Sequence, residues 1–190
     1  MSTIMMLGGA SRTGKSLISR ELLSRLALPY LSIDPIKMAL SKAVPSYELN
    51  TDESSIVVSE QLWPFISALA RNMVETGVHY LIEGEILPWQ VAQLSEQLEV
   101  RIPACFVGYE NTVIEQKMAD IKSCSGMPND WTAELTDAQL FDLVSEGVEF
   151  SRYLRSQCAQ YGLYYQDFST DFTAAKSAVI HYFESTFKDH

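Results

Sequence analysis

The stretch IMMLGGASRTGKSLISREL, residues 4–22, constrains this chain more than any other. A short continuous apolar run meets glycines at 8 and 9, and a third glycine at 14 precedes Lys15 and Ser16. An unbroken apolar run of that length suits a strand buried on both faces, and glycines grant backbone angles that a side chain would forbid. A helical pattern begins at about Thr13 to Lys15, so the segment predicts a strand, a tight loop and a helix in immediate succession.

Similar runs recur along the chain. TIMML at 3–7 is followed by YLSI at 30–33, VHYLI at 78–82, RIPACFVGY at 101–109 and LYYQDF at 163–168, with helical patterns between them. Leu62, Ile66, Leu69 and Met73 fall on one helix stripe that Gly77 should stop. Ala175, Val179, Tyr182 and Phe183 form a second stripe, and Ser169 to Asp171 offer capping oxygens before it. Pro64 marks either the first turn of a helix or a kink in a longer one. The alternation predicts an α/β fold in three layers, a mainly parallel sheet of about five strands with helices on both faces. With 190 residues, 47% of them hydrophobic and 20% charged, the chain should form a single domain over 1–190 with its own core. SCSGMPNDWTAEL, at 123–135, reads as a loop between two helices, and there is no internal repeat.

The formal net charge of −10 makes extended contact with nucleic acid phosphates unfavourable, while small anionic ligands stay open. The first residues, MSTIMMLGG, carry no basic segment, and no stretch reaches the ~20 apolar residues of a membrane span. No membrane association is expected. Cys105, Cys124 and Cys158 show no paired spacing, which fits reduced thiols and a cytoplasmic setting. His79, His181 and His190 stand apart with no metal-ligand spacing.

Gly9, Gly14, Lys15 and Ser16 satisfy the spacing G-x-x-x-x-G-K-[ST], the Walker A pattern. Each residue type has a physical reason. Over Gly9, Ala10, Ser11, Arg12, Thr13 and Gly14 the successive N–H groups can turn inward around a phosphate. The helix that begins there adds unpaired N–H groups and the positive end of its dipole, through Lys15, Ser16 and Leu17. Lys15 can reach the outer phosphates, and the Ser16 hydroxyl can ligate magnesium. Arg12 inside the loop either touches a transferring phosphate or points into solvent; in the first case it would stabilise the developing charge. No N-K-x-D stretch appears, so ATP with Mg2+ is expected rather than a guanine nucleotide.

With GGASRTGKS as its strongest element, and LSIDPIKMAL and YLIEGEILP as further support, the chain resembles the small P-loop kinases related to adenylate, shikimate and gluconate kinases and to zeta-toxin-type phosphotransferases. The resemblance implies a P-loop fold with an acceptor-binding region at about 35–75 and a small lid at about 120–137. It implies that Asp34, directly after the second strand, faces the acceptor and orients or deprotonates its hydroxyl; a helix N-cap before Pro35 is the other role open to it. Carboxylates at the C-terminal ends of parallel strands face the ligand crevice, so Glu83 or Glu85 should hold a magnesium-bound water or the acceptor. Glu83 is preferred, with Glu85 as a solvated loop carboxylate. Lids of this family supply clustered arginines, yet 123–135 contains neither arginine nor lysine. Arg152 and Arg155, three apart on one helix face, are then the expected phosphate-directed cations, and Lys117 and Lys122 are expected at the surface. The acidic run NTDESS reads as solvated at the mouth of the acceptor site, and the tryptophans and tyrosines read as core.

The leading expectation is therefore an ATP-dependent phosphotransferase acting on a hydroxyl of a small metabolite. Lys15, Arg12 and Arg152 would neutralise the phosphoryl group, Asp34 would position the acceptor, and Ser16 and Glu83 would serve the metal. A nucleoside monophosphate kinase is the alternative within the class, but 35–75 offers only Lys37, Lys42 and Arg71 for an acceptor phosphate. A nucleotide-binding regulatory module that transfers nothing is the alternative outside it. A homodimer stays open.

Overall fold

The computed structural model describes residues 4–124 and 131–188. Five strands form one parallel sheet: β1 (Ile4–Gly9), β2 (Tyr30–Ser32), β3 (Tyr80–Gly84), β4 (Ala104–Gly108) and β5 (Tyr164–Asp167), in the order β2-β3-β1-β4-β5. Among the described residues, seven helices cover it: α1 (Lys15–Leu26), α2 (Ile33–Ala43), α3 (Ser55–Glu75), α4 (Pro88–Leu98), α5 (Ile114–Ser123), α6 (Asp137–Tyr161) and α7 (Phe172–Lys188).

Alternation along β1 explains the three layers and the unbroken apolar run. Ile4 and Met6 point to one face, where they pack with Val58, Leu62 and Ile66 of α3, Val91 and Leu94 of α4, and Val144 and Leu154 of α6. Met5 and Leu7 point to the other, against Ile18 and Leu22 of α1 and Val179 and Phe183 of α7. A central strand buried on both faces has no solvent side on which to place a polar residue.

Most expected elements are present, with shifted ends. Thr3 lies outside the described residues. Gly8 and Gly9 belong to the first strand, of which Gly9 is the last residue, and pair with Phe106 and Val107 of β4. Ile33 is not strand but the first residue of α2. Pro64 sits in the interior of α3 rather than in its first turn. The stripe Leu62, Ile66 and Met73 is buried as expected, and the chain leaves α3 through Gly77 at φ 74°. Asp171 Oδ1 accepts from Ala174 N at 2.9 Å and so caps α7. Of the expected lid, 125–130 lie outside the described residues; a short 3₁₀ turn at Trp131–Glu134 leads into α6.

Because the sheet is parallel, every strand ends on the same rim. β1 leads there into the loop before α1, β2 into α2, and β3 into residues 85–87 before α4, so the motif residues converge at one edge. Cys105 and Cys158 are buried free thiols, and burial pushes Cys158 up to about 12, which leaves it unreactive. Cys124 is an exposed free thiol. Among the described residues no helix is long and apolar enough to cross a membrane.

Candidate functional site

The loop between β1 and α1 is tied to the sheet at its start and to the helix at its end. Ala10 N donates to Val107 O at 3.0 Å, and Leu17 N and Ile18 N both donate to Gly14 O at 3.0 Å. Gly9 at φ 150° lies so close to β4 that a Cβ there would come within 2.3 Å of Val107 O. Gly14, the N-cap of α1, is left-handed at φ 82°, and a Cβ on it would meet the Phe172 ring at 2.7 Å. No side chain caps α1, so its first N–H groups remain available at the rim.

Lys15 turns back over this loop. Its Nζ donates to Gly9 O at 3.0 Å and to Ala10 O at 2.8 Å, while Thr13 Oγ1 also donates to Ala10 O at 2.8 Å. Burial holds the ammonium below the usual lysine range, against the attraction of Glu83, Asp34 and Glu85. Ser16 and Leu17 are exposed at the first turn of α1.

Glu83 is the buried carboxylate of the rim, 3% exposed, placed by its pairing with Leu7 on one side and Ser32 on the other. Burial pushes its carboxyl up, while Lys15 and the Ser32 and Ser16 hydroxyls pull it back. Ser16 and Glu83, the two residues expected at a metal, are thus brought into contact. Among the described residues no three His, Cys, Asp or Glu side chains gather for a metal. The donor set therefore fits a hard cation that takes most of its oxygens from phosphate and water, as Mg2+ does, rather than a protein-caged ion. The glycine loop, the uncapped helix and Lys15 likewise fit a polyphosphate.

Asp34 lies in the first turn of α2 and is 71% exposed; it is not the cap, a position held by Ser32. The Ser32 hydroxyl makes no capping bond and turns to Glu83 instead. Glu85 departs from expectation: it is not a solvated loop carboxylate but pairs with Lys37 at 3.0 Å, each side chain less than a fifth exposed.

The expected lid cations each have an acidic partner in this structure. Arg152 pairs with Glu149 and Arg155 with Glu110, and neither is among the charges that act on Lys15. Lys122 is exposed and paired with Asp137 at 2.7 Å, as a surface lysine should be. Lys117, expected at the surface, is instead buried: its Nζ donates to Arg12 O at 3.0 Å and sits 4.6 Å from the centre of the Tyr109 ring. Desolvation lowers its pKa. Arg12 itself is left-handed at φ 62° and half-buried, and its charge acts on Tyr109 and Lys117, so it faces this wall rather than open solvent. The Tyr109 backbone is fixed in turn by Ser151 Oγ of α6, which accepts from its N at 2.9 Å.

Sequence reading missed Lys117, although a signal existed. Ile114, Lys117 and Ile121 share one face of α5, and a lysine on an otherwise apolar stripe is either an error of the pattern or a buried cation. Trp131 and Tyr161, expected in the core, are exposed, and His190 lies outside the described residues.

No family model matches the chain, and no curated protein matches it by sequence. Its likeness to known proteins is one of fold. A candidate kinase from Chloroflexus aurantiacus J-10-fl superposes with a TM-score of 0.59 at 16% identity, over 99% of this chain and 97% of that one. Shikimate kinase from Bacteroides thetaiotaomicron gives a TM-score of 0.57 at 12% identity over 96% and 98%. A gluconokinase from Sinorhizobium meliloti 1021 gives 0.53 at 13% identity over 100% and 98%. The chain has the fold of the small P-loop kinases.

Proposed function

We propose, from that fold, that the protein is a phosphotransferase that moves the γ-phosphoryl group of ATP to a hydroxyl of a small molecule. The observation that carries this reading is the convergence of Lys15, Ser16, Glu83 and Asp34, from three segments of the chain, on one rim of the sheet. A domain that only binds nucleotide needs the loop and Lys15; it has no use for an exposed carboxylate on α2 beside them. That structural neighbours include kinases of small metabolites adds support.

ATP with Mg2+ would supply the activated phosphoryl group. The loop amides and the N-terminus of α1 would hold its anionic oxygens, and Lys15 would leave the Gly9 and Ala10 carbonyls to meet them. The Ser16 hydroxyl, backed by Glu83, would orient the metal shell. Asp34 would accept a hydrogen bond from the acceptor hydroxyl and direct its lone pair at the phosphorus. Arg12 would neutralise the equatorial oxygens, held in its unusual backbone conformation by Lys117. Arg152, paired with Glu149, would join Arg12 only by leaving that exposed pair.

The test is acceptor-stimulated ADP release by the wild type and by Lys15→Ala. Loss of one such charge-stabilising donor costs about 10²–10³ in turnover. Turnover by Lys15→Ala within a factor of three of wild type would sink the reading. ATP binding with no transfer to any hydroxyl compound would leave a nucleotide-binding module in its place.

A further inference from the structure

The acceptor side of this site is rich in carboxylates, and the cation within it is already paired. Lys37 Nζ lies 3.0 Å from Glu85 Oε2 and 3.7 Å from Asp34 Oδ1, with only 16% of its side chain exposed. Those two carboxylates and Glu83 all act on Lys15, and Lys37 is the cation that acts on it beside them. Three acids therefore face two ammonium groups, one of which folds over the phosphate-binding loop and the other of which is bridged by acids.

Among the described residues, the other cations considered for an acidic acceptor are engaged or stand apart. Arg71 donates to Gln97 of α4 at 3.0 Å, and Lys42 stands exposed in the last turn of α2, more than a turn beyond Lys37. Arg12 and Lys117 form the opposite wall, at Tyr109. Arg152, Arg155 and Lys122 are each paired with an acid of their own. Residues 125–130, SGMPND, contribute neither lysine nor arginine. The loop that precedes α3 carries Glu48, Asp52 and Glu53, and because α3 descends towards the start of β3, that loop stands on the same rim.

On the phosphotransfer reading, we infer that the acceptor is an amino alcohol or amino sugar, a hydroxyl compound with a protonated amine and no anionic group. Asp34 is the carboxylate free to take it. Its pairing with Lys37 is loose, it is 71% exposed, and an amine one carbon from the reacting hydroxyl places both groups within reach of Asp34 and Glu85. A carboxylate or phosphate on the acceptor would meet the same two acids, with Lys37 already engaged between them.

Glucosamine, ethanolamine and 2-deoxystreptamine can be compared with N-acetylglucosamine and gluconate in two assays. One is ADP release with ATP and Mg2+; the other is calorimetric binding in the presence of a non-hydrolysable ATP analogue and Mg2+. Expected is at least one amine that binds about tenfold or more tightly than N-acetylglucosamine, with gluconate neither bound nor phosphorylated, tenfold being an ordinary coupling for one charge-assisted contact. Glu85→Gln should weaken the amine and, by releasing Lys37, tighten gluconate. Lys37→Met should tighten the amine, a gain that a damaged fold would not produce. Gluconate bound or turned over as well as the amines, or no amine bound at all, overturns the inference. Transfer to gluconate would do so while leaving the phosphotransfer reading intact; selective amine binding without transfer would leave the charge preference standing and remove phosphotransfer.

Discussion

Glu83 meets two demands that pull against each other. Its carboxylate is the buried neighbour of Ser16 and Lys15, yet burial raises its pKa because desolvation outweighs both the attraction of Lys15 and the serine hydroxyls. A carboxyl whose folded pKa lies above its unfolded value holds its proton more tightly in the native state. It therefore favours folding most below the ordinary glutamate range, and that advantage is lost as pH rises through the raised value. Replacing it by glutamine removes the ionisation and keeps the shape. Glu83→Gln is expected to melt at the same temperature as wild type in acid, to melt higher at neutral pH, and to lose phosphotransfer. Melting curves across pH 4–8 beside ADP release would show it; a variant less stable than wild type at neutral pH would mean that the carboxylate is held by attraction rather than merely tolerated.

At the level of elements, α5 supports the loop before α1 through one lysine. Lys117 reaches across the β1–β4 pairing to Arg12 O and lies on Tyr109, itself fixed by Ser151 of α6, so two helices brace the residue whose backbone is left-handed. Lys117→Met keeps the apolar stem and removes a buried charge, a change that is often close to neutral for global stability. The loss should appear locally instead. Unfolding in urea is expected to stay within about 1 kcal/mol of wild type, while amides of residues 10–14 exchange faster and nucleotide binding weakens about tenfold, the worth of one charge-assisted hydrogen bond. Unchanged exchange and affinity would reduce Lys117 to a packing residue. This contact also marks the limit of what the sequence shows. The strands were legible because each is a buried apolar run, and the loop because its spacing is local. Lys117 with Arg12 and Lys37 with Glu85 are 105 and 48 residues apart and depend on which strands neighbour in the sheet, which periodicity does not encode. The same reason hid Glu110 as the partner of Arg155, 45 residues away, whereas Glu149, three residues before Arg152 on the same helix, was within reach of the periodicity.

Over the whole molecule, the charge of −10 sets a field that both proposed substrates must cross, and it acts on them with opposite sign. Long-range repulsion of an anionic nucleotide is screened as the Debye length shrinks from about 30 Å at 0.01 M salt to about 8 Å at 0.15 M. The contacts within the loop are partly buried and screened less, so added salt removes more repulsion than attraction. The value of kcat/KM for ATP with Mg2+ is therefore expected to rise severalfold between 10 and 150 mM sodium chloride. For an amine acceptor drawn in by Asp34, Glu85 and the acidic loop before α3, the same titration should lower kcat/KM, because there the distant field and the nearby carboxylates both attract. Opposite slopes for the two substrates of one enzyme cannot come from a general effect of salt on folding or turnover, which would move both together. Parallel slopes would mean that the field at the rim is set by the few charges of the loop alone, and that the acidic acceptor wall has no part in drawing its substrate.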